Sequence, residues 1–202
     1  MIGIIDYGMG NLRSVENALK AIGQECVISA DPAVLHSCDK LILPGVGAFG
    51  DCMKNVRDRK LDVFMKDEVA SGKPLLGICL GMQMLFEVSE ENGLNEGLGF
   101  LKGRVTKMIT DLPVPEIGWN ELEWNHDHPL KGILSEHPYV YYVHSYSAVD
   151  YDDEALAGYS MYGEIRVSGL VIGPHVMGTQ FHPEKSAEDG LKILRYFAEV
   201  FE

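Results

Sequence analysis

The sequence predicts an α/β fold: a mostly parallel central sheet covered by helices, with antiparallel strands added in the second half. Three observations carry this. Up to residue 88, short continuously apolar runs bounded by Gly or Pro alternate with helical stretches, the pattern of parallel strands buried on both faces. From Phe100 onward the character changes: FLKGRVTKMI, NELEWN, YVYYVHSYSAV and IRVSGLVIG read as strands joined by Gly- and Pro-containing turns, with few helices. A chain of 202 residues without repeats or linkers suits one core, so a single domain over residues 1–202 is expected.

The elements follow in order. MIGIID (1–6) is a buried strand. Asn11 is a good N-cap residue ahead of Leu12, Val15, Leu19 and Ile22 at helical spacing, and Gly23 supplies the stop. CVIS (26–29) and KLIL (40–43) are strands linked by a short helical DPAVLHS. Residues 50–71 read as helix with a break near Lys60. PLLGIC (74–79) is again a buried strand, LGMQMLFEV opens another helix, and NGLNEGLG (92–99) is a loop. A last helix near 187–201 carries an apolar stripe of Leu191, Leu194, Phe197 (or Ala198) and Phe201.

Composition excludes several function classes. The net charge of −13, from 17 basic and 30 acidic residues, disfavours nucleic acid and anionic lipid as partners, since both need clustered Lys and Arg. No apolar run approaches the ~20 residues of a membrane helix. The N-terminus lacks the basic region and cleavage site of a signal peptide, so a cytoplasmic location is expected. Cys26, Cys38, Cys52 and Cys79 show no C-x-x-C spacing, which argues for free thiols and against a zinc ribbon. His126-Asp127-His128 sits in a polar loop with no third ligand nearby. Neither metal nor cofactor is expected.

The chemistry concentrates in three places. Cys79 stands where a strand gives way to a helix, in G-I-C-L-G. Flanking glycines permit a strained turn that lifts a nucleophile clear of the sheet, in the manner of a nucleophile elbow. A thiol attacking a carbonyl needs a base, and the base an orienting group. GTQFHPEKS (178–186) offers both: Pro183 keeps His182 extended, and residues two apart on an extended chain share a face, which brings Glu184 beside the ring. PGVGAFG (44–50) follows the strand KLIL. It formally fits G-x-G-x-x-G, but position 65 falls in a helix where a dinucleotide site needs an acidic strand end. Backbone donors near Val46 or Gly47, with the N–H of Leu80, suit a developing oxyanion instead.

G-I-C-L-G-M-Q followed 103 residues later by H-P-E resembles the class I (triad) glutamine amidotransferases. The resemblance implies a flavodoxin-like three-layer α/β/α fold, with Cys79 as nucleophile, His182 as base and then acid, and Glu184 as its orienter. It further implies that Gln83, the Gly47 backbone and the segment His144-Ser145-Tyr146 hold glutamine. DYGMGNLRSV (6–15), PEIGWN (115–120) and QFHPEKS (180–186) together resemble one branch of that family, the glutaminase subunits of imidazole glycerol phosphate synthases. That branch implies a heterodimer with a separate (β/α)8-barrel cyclase, which receives the ammonia. Tyr7, Asn11, Trp119, Asn120 and Lys185 would lie at or near its docking face. Val46 stands where glycine would rotate more freely. The resting loop is therefore expected to withhold one oxyanion donor until the cyclase docks.

Overall fold

The computed structural model describes all 202 residues. The first half alternates as the apolar pattern requires: β1 (Ile2–Ile5), α1 (Leu12–Ala21), β2 (Cys26–Ser29), α2 (Pro32–His36), β3 (Lys40–Gly45), α3 (Phe49–Asp58), α4 (Leu61–Ala70) and β4 (Leu75–Cys79). The break expected near Lys60 is real, and Lys60 takes φ +58 there. Asn11 occupies the N-cap of α1, but its side chain accepts from the Ser14 hydroxyl at 2.9 Å rather than capping a backbone N–H.

The helix expected to follow Cys79 is cut short. α5 spans only Leu80–Gln83, and the apolar run beyond it becomes β5 (Phe86–Ser89). A short apolar run fits either state, and here β7 (Leu101–Lys107) supplies the backbone partners that make it a strand. The 92–99 loop contributes the two-residue β6 (Asn95–Glu96) to the same small sheet.

NELEWN is two elements: Asn120 and Glu121 close β8 (Glu116–Glu121), Leu122 turns into the core, and β9 (Glu123–Trp124) pairs elsewhere. YVYYVHSYSAV is likewise divided at Ser145 into β10 (Tyr139–His144), which pairs β8, and β11 (Tyr146–Val149), which pairs β7. β12 (Leu156–Tyr162), which pattern reading passed over, precedes β13 (Ile165–Gly173), β14 (Val176–Thr179) and α6 (Ala187–Glu199).

The main sheet runs β2-β1-β3-β4-β14-β13-β12-β9. Its first five strands are parallel, in the flavodoxin-like order with β14 in fifth place. β13, β12 and β9 extend it antiparallel. β1, β4 and β14 are buried along their whole length, with two apolar cores on the sheet's two sides. Each buried Leu or Ile contributes roughly 1.5–3 kcal/mol.

In open α/β sheets ligands bind beyond the carboxyl ends of the strands. Here β3, β4 and β14 are neighbours, so the loop after Gly45, Cys79 and the segment leading to His182 emerge side by side.

Candidate active site

Cys79 closes β4 with φ +55 and ψ −111, a left-handed conformation that costs a non-glycine residue on the order of 1–3 kcal/mol. The neighbouring glycines do not absorb that strain, contrary to the sequence reading. Neither Gly77 nor Gly81 has positive φ; both are needed for close approach. A Cβ on Gly81 would sit 1.8 Å from the Leu43 carbonyl oxygen, and one on Gly77 would sit 2.6 Å from the Gly81 oxygen. Backbone cannot yield as a side chain can. Gly81→Ala is therefore expected to destabilise the fold by about 3 kcal/mol or more, read as a lowered midpoint in urea unfolding. A loss under about 1 kcal/mol would contradict the contact.

The imidazole of His182 is fixed from behind. Its Nδ1 lies 2.8 Å from Glu184 Oε1, with both side chains almost wholly buried. The pairing arises differently from the extended-strand reading: His182 is extended, but Pro183–Lys185 form a single 3₁₀ turn that folds Glu184 back onto the ring. The turn is clamped in turn. The His182 N–H donates to the Tyr141 carbonyl, and the Ser186 hydroxyl donates to the His182 carbonyl. The far nitrogen, Nε2, is buried without a hydrogen-bond partner. Burial alone would lower the His182 pKa, but the Cys79 sulfur and the Glu184 carboxylate outweigh it and raise it to about 9.

A cavity of about 370 Å³ opens above the strand ends. Val46, Gly47, Cys79, Leu80, Gln83, His144, Ser145, Tyr146 and His182, every one singled out in the sequence, line it; Glu184 stands behind His182. The Leu80 N–H, at the first helical position, has no acceptor within α5. The Val46 carbonyl accepts from the Cys52 thiol at 3.4 Å, which turns the Gly47 N–H, trans to it across the same peptide, away from Cys52. Burial pushes the Cys52 thiol up to about 11, so it stays a donor.

The cavity also takes in residues that sequence reading missed. Glu91, Pro115 and Val143 complete its lining. Glu91 Oε2 accepts the Phe49 N–H at 2.7 Å. Glu116 and Gln180 lie just outside. Glu116 Oε2 meets His144 Nε2 at 2.9 Å, both groups buried, while Glu116 Oε1 accepts from Asn120 Nδ2 at 3.0 Å. His144 Nδ1 and Gln83 Nε2 both donate to the Tyr146 carbonyl, at 2.8 and 2.9 Å, and Gln83 Nε2 also reaches Gln180 Oε1 at 3.0 Å. Gln180 carried a signal, since it lies two residues before His182 and shares its side of an extended chain.

A strained cysteine, a buried His–Glu pair one strand away and free backbone N–H groups can together cleave an acyl bond through a thioester. Residues 3–200 match the family model for class-I glutamine amidotransferases. The chain belongs to that family. Its curated relatives include proteins named imidazole glycerol phosphate synthase subunit HisH. The one from Sulfurimonas denitrificans is 50% identical, the match covering 98% of this chain and 97% of the relative. Those from Bacillus subtilis and Aquifex aeolicus are each 47% identical, over 99% and 96% of this chain and 96% and 94% of theirs. Among solved structures, a glutamine amidotransferase superposes with a TM-score of 0.78 at 22% identity, covering 98% of this chain and 97% of that one. A putative GMP synthase component from Thermoplasma acidophilum gives 0.73, also at 22% identity, covering 97% and 90%. At that identity these two speak for the fold alone.

The residues expected at a docking face of this amidotransferase divide. Trp119 is half exposed and Lys185 exposed, and both sit by the Tyr141 ring, with Trp119 edge-on at 6.0 Å and Lys185 Nζ at 6.0 Å. Asn11 and Asn120 are partly exposed. Tyr7 is not available to a partner. It is fully buried, its hydroxyl donating to the Pro44 carbonyl at 2.8 Å, because β1 ends in the core before the chain turns out at Gly8. No helix is long and apolar enough to cross a membrane, and no group of three or more His, Cys, Asp or Glu is arranged to hold a metal.

Proposed function

We propose that the chain is a single glutamine amidotransferase domain and the glutaminase subunit of a cytoplasmic imidazole glycerol phosphate synthase, releasing ammonia for a separate (β/α)8-barrel cyclase. The observation that carries the reading is the Cys79–His182–Glu184 constellation on adjoining strand ends, in a chain half identical to proteins named as that subunit.

His182 takes the Cys79 thiol proton as Sγ attacks the side-chain amide carbon of glutamine, and the carbonyl electrons move onto oxygen. The Leu80 N–H and a donor from the Val46–Gly47 loop stabilise that oxyanion. His182 passes its proton to the departing nitrogen, so ammonia leaves and a thioester remains. A water that gives its proton to His182 then attacks the thioester, releasing glutamate and the sulfur. Both Nε2 hydrogens of Gln83 are already engaged within the protein, so Gln83 offers a ligand its carbonyl oxygen. With the Glu91 carboxylate it suits the α-ammonium group of glutamine.

A partner is supported by chemistry and by surface. Ammonia freed into neutral water becomes ammonium, a poor nucleophile, so its acceptor site must adjoin this one. Next to the cavity, the outer face of the β8–β10 pair exposes Ile117 (63%), Trp119 (52%) and Tyr139 (51%), and the register pairs Ile117 with the cavity-lining Val143. An apolar patch rimmed by polar groups suits a partner. On the inner face of the same pair, Asn120, Glu116 and His144 form a hydrogen-bonded line from the patch to the cavity wall.

The test is glutamate release from glutamine, by the chain alone and then with the cyclase and its nucleotide substrate. Slow release alone, rising at least about 100-fold in the complete mixture, is expected of a gated subunit. Brisk release unchanged by the partner would mean a free-standing hydrolase. Because the Val46–Gly47 peptide is held by a weak thiol donor, Val46→Gly should raise partner-free release; no rise would sink the gated loop.

A further inference from the structure

Gln180 is fully buried between the amidotransferase's nucleophile and Gln83, and the mechanism above does not use it. Its orientation is dictated by its neighbours. The Tyr146 carbonyl can only accept, so the Gln83 atom facing it, 2.9 Å away, is the amide nitrogen. That nitrogen also donates to Gln180 at 3.0 Å, so the Gln180 atom there is the oxygen. The remaining end of Gln180, its Nε2, therefore points at Cys79 Sγ, 3.8 Å away.

We infer that Gln180 is a catalytic residue whose side-chain amide, locked by Gln83, donates a hydrogen bond to the Cys79 sulfur and stabilises its thiolate. The inference rests on Cys79 being the nucleophile. What surrounds the sulfur shows why a neutral donor matters. No Lys or Arg lines the cavity, and Glu91 does. The Val143 carbonyl faces the sulfur at 3.9 Å. Tyr7 lies near from the end of β1, a neutral phenol that already donates to Pro44. His144 is engaged at both ring nitrogens. His182 Nε2 makes no hydrogen bond, so Gln180 is the only side chain donating to this sulfur.

The test is the pH dependence of Cys79 alkylation by iodoacetamide, followed on the Cys79 peptide by mass spectrometry because four thiols are present. Gln180→Met removes the donor at nearly constant length. Gln180→Glu keeps an acceptor for Gln83 but puts oxygen against the sulfur. In both, the alkylation profile should move up by about one pH unit, slowing modification near pH 7 about tenfold. The plateau rate at high pH should hold. Far-ultraviolet circular dichroism and the thermal midpoint identify which variants are folded. A folded variant with an unshifted profile overturns the inference. The wild-type arm separates the two ideas: if alkylating Cys79 leaves glutamate release intact, the nucleophile assignment falls, whatever Gln180 does.

Discussion

Glutamate release is expected to fall by about 10⁴-fold or more in a Cys79→Ser variant measured with the partner present. The replacement is nearly isosteric and keeps the backbone's φ of +55, so the fold and the cavity should persist. The loss is chemical. A hydroxyl ionises far less readily than a thiol, and the alkoxide rather than the alcohol would have to attack. In the variant His182 loses the sulfur that helps raise its pKa, and it must take a proton from a hydroxyl that gives it up far less readily than a thiol. Glutamine binding should survive, since Gln83, Glu91 and the His144–Tyr146 segment are untouched. Release within tenfold of wild type would remove Cys79 from the nucleophile's role.

The sequence conveyed this site unevenly, and the reasons are physical. Cys79, His182 and the Val46–Gly47 loop were legible because each lies at the end of a continuously apolar strand, and parallel topology brings strand ends together. The His182–Glu184 pair was legible by residue type, although a 3₁₀ turn rather than an extended chain makes the contact. The reason for Gly77 and Gly81 was not, because backbone from α5 fills the space a Cβ on Gly77 would need and backbone from β3 the space beside Gly81, and no sequence pattern announces those approaches. Glu91, Glu116 and Gln180 belong to the same difficulty. Each acquires its role from a partner at least 28 positions away: Phe49 for Glu91, His144 for Glu116, Cys79 and Gln83 for Gln180. Tyr7 shows the opposite error. Its place in a docking motif suggested exposure, but its position just beyond a buried strand put it in the core. In the second half, the turn-bounded apolar stretches located most of the strands, though not β12, and did not assign them to their sheets. Which partner takes β10 and which takes β11 is decided at Ser145, where the cavity wall forms.

Glu184→Gln should cost about 10³-fold in turnover and should also narrow the pH range of what activity remains. The carboxylate has two effects on His182: it orients the ring at 2.8 Å, and its charge favours the imidazolium form. A glutamine keeps one acceptor oxygen but adds an amide donor, so the ring can be held in the wrong tautomer. The charge is lost in either case. The sign of the pH effect follows. Ammonia departure needs a proton on His182, so activity falls on the alkaline side as that proton is lost, near pH 9 in the native site. Removing a charge that raised this pKa must lower it, and the alkaline limb should move towards the ordinary histidine range near 6.5. An unmoved limb with a large fall in rate would leave Glu184 as an orienter only. Stability should change little, because Glu184 Oε2 is already buried without a partner, and exchanging an incompletely paired buried charge for a neutral amide relieves a desolvation cost while removing an attraction. A variant that folds normally and turns over slowly within a shifted pH window is thus what a buried Glu–His pair predicts, and a mere packing role for Glu184 predicts neither the slow turnover nor the shift.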